Sequence, residues 1–169
     1  MTDRCFVDAN VLVYAMDQRD ARKRQRAGEW LDLLWRERTA RTSMQVLSEA
    51  YNALTRRMRV APHLAWEELD RYFVWQPQPV YEAVLRRARE VEHAHRLSWW
   101  DSMIVASAQL QRCAVLLTED LHDGARFGSL CVRDPFLHEA RELEPVYGAT
   151  PAAKPLHRPR GRPRRAVPA

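Results

Sequence analysis

Apolar residues in this chain fall into a few short unbroken runs, separated by longer stretches in which they recur every three or four positions. Cys5-Phe6-Val7 is such a run, ending at Asp8-Ala9-Asn10, and predicts a buried strand that meets a turn. From Asp20 to Arg38 the apolar residues Ala27, Trp30, Leu31 and Leu34 return at helical spacing within an otherwise charged segment. Thr42-x-x-Gln45 has the form of a capping box ahead of a second helix carrying Val46, Leu47, Ala50, Tyr51, Leu54 and Met58. Pro62 stands where a third helix begins, running to Tyr72. Pro77 and Pro79 confine Val74-Trp75-Gln76 to a short edge strand at most.

The second half follows the same alternation. Val80, Val84, Ala88, Val91 and His95 mark one face of a helix with Arg86, Arg87 and Arg89 outward. Ser98 caps a helix from Trp99 to about Arg112 whose Met103-Ile104-Val105-Ala106 is apolar all round and therefore buried. Trp99 and Trp100 at its start read as core and rim, not as base-stacking platforms. Ala114-Val115-Leu116-Leu117-Thr118 is a continuous apolar run of the kind found in parallel sheets covered on both faces, and Leu130-Cys131-Val132 is one more strand. Strands alternating with helices predict an α/β domain with a mostly parallel central sheet flanked by helices.

Composition narrows the class. The 169 residues suffice for one domain with a real core, and 46% hydrophobic with 29% charged residues is a globular balance. No apolar run approaches the ~18–20 residues of a membrane span. Met1-Thr2-Asp3-Arg4 does not resemble a secretory leader, and three widely spaced cysteines (Cys5, Cys113, Cys131) make no disulfide framework, so a cytoplasmic location is expected. The net charge of +5 belongs to the end of the chain. Residues 150–169 hold six Lys and Arg and no acid, which leaves 1–149 at 5 − 6 = −1. That segment holds five of the ten prolines, so 146–169 is expected to be a disordered basic tail after a domain of residues 1–145. Most of the chain's cations are arginine, which coding bias explains as well as phosphate contacts do.

Four acids stand where these elements can bring them together: Asp8 after the first strand, Glu49 in the second helix, Asp101 opening the buried helix, and Asp120 after the best strand. In parallel sheets, sites form beyond the carboxyl ends of strands, where Asp8 and Asp120 both lie. Each has an ordinary alternative. Ser98-x-x-Asp101 is equally a capping box, Asp8 can cap the following turn, and Asp120 can serve the turn Thr118-Glu119-Asp120-Leu121-His122-Asp123-Gly124. On a helical wheel Glu49 falls outside the apolar arc and is expected to be exposed.

Phe6-Val7-Asp8-Ala9-Asn10, Ser48-Glu49, Leu97-Ser98-Trp99-Trp100-Asp101-Ser102-Met103-Ile104-Val105-Ala106 and Leu117-Thr118-Glu119-Asp120-Leu121-His122-Asp123-Gly124 together resemble the PIN-domain family, and in particular its VapC-type toxin ribonucleases. The resemblance covers about residues 3–138. It implies a three-layer α/β fold and a metal-dependent endoribonuclease with catalytic and metal-binding acids at Asp8, Glu49, Asp101 and Asp120. Asn10 and Thr118 match supporting polar positions, and Asp123 sits where some members have a further acid. Mg²⁺ or Mn²⁺ is the implied cofactor, consistent with oxygen-only ligands, RNA the substrate, and a cognate antitoxin and a homodimer the implied partners. A non-toxin RNA-processing relative would carry the same site.

Two rivals remain. A phosphatase or dehalogenase with a nucleophilic Asp8 lacks its usual Asp-x-Asp-x-Thr pattern and mid-chain lysine here. A nucleic-acid-binding protein would act through Pro159-Arg160-Gly161-Arg162-Pro163-Arg164-Arg165, which resembles an AT-hook; Arg160, Arg162, Arg164 and Arg165 would then contact DNA, or RNA by charge alone. The stripe formed by Trp30, Leu31, Leu34 and Val46 to Met58 either receives a partner helix or serves the domain's own core.

Overall fold

A computed structural model describes residues 3–140. In chain order the elements are β1 (Cys5–Val7), α1 (Ala9–Met16), α2 (Ala21–Glu37), β2 (Ala40–Arg41), α3 (Met44–Asn52), α4 (Pro62–Asp70), α5 (Glu82–His95), α6 (Trp99–Leu110), β3 (Val115–Leu117), β4 (Arg126–Phe127) and β5 (Leu130–Arg133). The sheet runs β2-β1-β3-β5-β4, parallel throughout except for β4, which turns back against β5. β1 and β3 are its centre. Phe6, Val7, Leu116 and Leu117 are fully buried there, as unbroken apolar runs covered on both faces should be.

The predicted partner-helix stripe belongs to the core. Trp30, Leu31, Leu34, Val46, Leu47, Ala50 and Leu54 are all buried, and Trp30 Nε1 donates to the Pro135 carbonyl at 3.0 Å. α5 packs along α6 through a smaller cluster of Val84, Ala88, Met103 and Ala106 with Trp99 against it.

Several expectations shift. Asp8 does not end in a turn but caps α1, whose Val11 and Leu12 are buried. The cap of α3 is Ser43 and not Thr42: Ser43 Oγ accepts from Val46 N at 3.2 Å, while the Thr42 hydroxyl donates to Val7 O and ties α3 to β1. Ser43→Ala should cost about 1 kcal/mol, read as a lowered thermal midpoint. Residues Arg71–Trp75 form a 3₁₀ helix, where an edge strand was expected at 74–76. The extended pairing comes later, as a single bridge between Ser43 and Gln78. α5 begins at Glu82, leaving Val80 exposed ahead of it, and His95 is exposed at its end. α6 ends at Leu110, two residues short of the expected Arg112.

Past α3 the helix widens into a π turn, Ala53–Arg57. Its cause is local. The Thr55 hydroxyl donates to Tyr51 O at 2.8 Å, competing for a carbonyl the α-helix would use, and Met58 N reaches Ala53 O at 3.1 Å. Among the described residues no helix is long and apolar enough to cross a membrane. The basic tail, with Arg160, Arg162, Arg164 and Arg165, lies outside the described residues, as does the expected domain boundary at 145.

Candidate active site

β1 and β3 are neighbours with Val7 opposite Leu117, so the residues that follow them emerge side by side at the carboxyl edge of the sheet. Asp8 Oδ1 accepts from Ala9 N at 2.7 Å, and Oδ2 accepts from the Thr118 hydroxyl at 2.7 Å. That hydroxyl spends its one proton on Asp8 and accepts twice, from Asn10 Nδ2 at 2.9 Å and from Asp120 N at 3.1 Å. Asn10 Nδ2 also donates to Asp120 Oδ2 at 3.1 Å and, at longer range, to Asp8 Oδ2 at 3.4 Å. Asn10 and Thr118 therefore join two acids that are over a hundred positions apart in the chain.

Their environments differ. Asp8 is 7% exposed, whereas Asp120 is open to solvent. Burial pushes the Asp8 carboxyl from 3.8 up to about 7; the Thr118 and Ala9 hydrogen bonds pull it down, and the nearby charges of Asp120 and Glu49 push it up again. A buried carboxyl beside two more is a common arrangement at functional sites.

Glu49 is exposed, as the wheel indicates, but it faces a cleft and not bulk solvent. It lines a cavity of about 270 Å³ together with Asn10, Tyr14 and Asp120. Its Oε1 accepts from Gln45 Nε2 at 2.8 Å, and the same amide reaches the Trp100 carbonyl at 3.4 Å, bringing the start of α6 against α3. Asp101 lies one residue on. Its Oδ2 accepts from the Ser98 hydroxyl at 2.7 Å and Ser98 Oγ accepts from Asp101 N at 3.1 Å, so Ser98 caps α6 and holds the acid by its hydroxyl, without the return bond to the Ser98 N–H that completes a capping box. Asp101 Oδ1 makes no hydrogen bond among the described residues. Asp123 is turned to other work. It accepts from Asp134 N at 2.9 Å and pairs with His138 at 2.9 Å; burial opposes its ionisation, but these partners hold the carboxyl below the usual range.

Sequence reasoning missed the rest of the cleft wall. Asp17 takes a forked contact from Arg19, at 2.9 Å from Nε and 2.8 Å from Nη2, and that hydrogen bonding lowers its pKa to about 2. Lys23 pairs with Glu119 and donates to the Tyr14 hydroxyl at 3.1 Å, pinning the residue beside Asp120 to α2. Lys23 is one of only two lysines in the chain, the one signal that set it apart. Arg57 reaches the same cleft from the π turn.

The donors fit a hard cation but do not form a ready-made cage. Among the described residues no three His, Cys, Asp or Glu side chains are grouped to hold a metal. Two unit charges ~4 Å apart repel by about 4 kcal/mol at an effective dielectric near 20, so unneutralised carboxylates stay apart. The buried Asn10 Oδ1 has no hydrogen-bond partner, an acceptor left facing no donor at the acidic site. All ligand candidates are oxygens. The three cysteines are buried elsewhere, with burial pushing the Cys113 thiol up to about 12, so no thiolate competes.

No curated protein matches the chain. Among solved structures, VapC20 of Mycobacterium tuberculosis, described as a sarcin-ricin loop cleaving toxin, superposes with a TM-score of 0.52 at 21% identity, over 66% of this chain and 86% of that one. At that identity the likeness is one of fold. Residues 5–122 match the PIN domain, a span that starts at β1 and holds the acids Asp8, Glu49, Asp101 and Asp120 together with Asn10 and Thr118; the chain belongs to the PIN domain family.

Proposed function

We propose that the chain is a metal-dependent endoribonuclease, acting as the toxin of a toxin–antitoxin pair. The observation that carries this is the joining of Asp8 to Asp120 by Asn10 and Thr118 at the carboxyl edge of a PIN-domain sheet. Asp8 and Asp101 would be the principal holders of Mg²⁺ or Mn²⁺, with Glu49 and Asp120 completing the site. When bound, such an ion polarises a phosphodiester oxygen and makes a water nucleophilic near neutral pH.

The chain's own residues set up the rest. Thr118 and Asn10 fix the Asp8 and Asp120 carboxylates by hydrogen bonds, so neither must be ordered at the moment of reaction. Asp101 offers a free Oδ1 while its other oxygen is steadied by Ser98. Glu49 or Asp120, both exposed to the cleft, accepts the proton of the attacking water. No side chain need form a covalent bond to phosphorus. Asp8 as a phosphatase-like nucleophile fits poorly, because the chain lacks Asp-x-Asp-x-Thr after β1 and has no lysine between Lys23 and Lys154. The toxin role draws on the fold shared with VapC20, a structure described as a toxin, and it would imply a cognate antitoxin.

Incubation with a structured RNA should give discrete cuts in Mg²⁺, none in EDTA, and recovery when Mg²⁺ is returned. Cleavage that persists in EDTA would remove the metal from the mechanism. Induced expression should arrest growth; intact cleavage without arrest would replace the toxin role by RNA processing.

A further inference from the structure

Beside the acidic cleft lies a second, larger one of about 670 Å³ between α3 and α6. Its character is different. Met44, Val80, Met103 and Trp100 give it apolar walls, and two residues, Glu49 and Arg57, line both clefts and form the border between them. Trp100 is 62% exposed and, among the described residues, its ring stacks on no other ring. Gln45 is 7% exposed and also lines this cleft. Its amide nitrogen is committed to Glu49 and the Trp100 carbonyl, leaving Oε1 buried with no donor. That is a buried unmet acceptor behind a wall that Ser48 and Asn52 also line.

Arg57 differs from the other arginines of the domain in its place, since Arg56 and Arg59 beside it are likewise without an ion pair among the described residues but line neither cleft. Arg19, Arg86, Arg87 and Arg89 are each paired with a carboxylate. Arg57 has no ion pair or hydrogen bond among the described residues, although it borders Glu49, and it is the one cation lining the larger cleft. The π turn puts it there, since the extra residue per turn rotates everything after Thr55 relative to α3.

An exposed indole, a slot with both apolar and polar walls, and a guanidinium without an ion pair on the side facing the acids suit one nucleotide. We infer that the cleft between α3 and α6 is a nucleobase subsite: the base next to the scissile phosphate stacks on Trp100, and Arg57 holds the phosphate that links the two clefts. This rests on the ribonuclease reading above and adds to it the residues that choose the cut. Stacking on an indole is favourable for every base. Trp100 is 62% exposed, as its reading as rim expects, and the proposal gives that exposed ring a use as a stacking platform.

The test uses the full chain and short single-stranded RNA in Mg²⁺. Trp100→Ala should raise KM by about five- to a hundredfold, the range of one lost base–aromatic stack, with kcat little changed and a shifted preference for the nucleotide at the cut. Trp100→Phe should recover most of the loss. Arg57→Gln should raise KM evenly for all sequences, because a phosphate contact reads none. Trp66→Ala, an exposed tryptophan that packs on Phe73 outside this cleft, should change nothing. Nucleoside monophosphates, which cannot be cut, should quench wild-type tryptophan fluorescence saturably and lose that effect in Trp100→Ala. Unchanged KM and cut sites in Trp100→Ala would overturn the subsite. So would a loss that tracks a change of oligomeric state in size-exclusion chromatography, which would make the cleft a protein interface. If the wild type cuts no RNA, the quenching titration still decides the subsite, so the two failures are separable.

Discussion

Asp8→Asn should reduce metal-dependent RNA cleavage at least about a thousandfold, equivalent to roughly 4 kcal/mol of barrier. Asparagine keeps the shape and one acceptor, so Ala9 N stays capped and α1 still starts in place. What it removes is the negative charge at the most buried of the four acids. It also puts an amide NH₂ where Asn10 Nδ2 already donates, so the two amides compete for the Thr118 oxygen. A cation that binds only the folded protein raises its stability by about 2.7 kcal/mol at a hundred times its dissociation constant. The wild type should therefore melt higher in Mg²⁺ than in EDTA, and Asp8→Asn should melt the same in both. Full activity together with an intact Mg²⁺ shift in this variant would dismiss Asp8 as a ligand, and with it the proposed centre.

The parts of this site that were legible in the sequence are those where residue type and position in the chain point the same way. The runs at Phe6 and Leu116 could only be covered parallel strands, and parallel neighbours force Asp8 and Thr118 together at the same edge. Ser98 capping α6 was equally plain, since Ser-x-x-Asp before an apolar run has few other uses. α1 was not legible. Its eight residues are mostly apolar, and a short run of that kind carries neither a period of two nor one of 3.6. β2 and β4, at two residues each, are too short to carry any pattern. A wheel could say that Glu49 was exposed but not that a cleft was what it faced. Arg57 was beyond reach for a stronger reason: a wheel advances 100° per residue, and the π turn breaks that rule just before it. Asp123 shows the converse, a residue at a suggestive position whose carboxylate is taken up by a backbone amide and His138.

In EDTA the protein should lose stability as the pH rises from about 4 to about 7, the reverse of what surface carboxylates produce. Asp8 titrates at 3.8 when exposed and at about 7 when folded. Between those values the folded chain holds a proton that the unfolded chain has released, so stability falls by ~1.4 kcal/mol per pH unit, on the order of 4 kcal/mol across the window. Below pH 4 and above pH 7 this contribution is flat. Asp17 and Asp123 act oppositely: their carboxyls are lowered in the fold, so their stabilisation is complete above pH 4 and is lost only in stronger acid. The metal-free thermal midpoint should therefore peak near pH 4–5. Asp8→Asn should erase the decline between pH 5 and pH 7, since no proton remains to be held, and above pH 7 the variant should melt higher than the wild type. Adding Mg²⁺ should lift the wild type most where Asp8 is ionised, because the cation replaces the missing proton. A wild-type midpoint that climbs from pH 5 to pH 8 in EDTA would mean that Asp8 is ionised without help, and that the acidic edge needs no ion to hold it together.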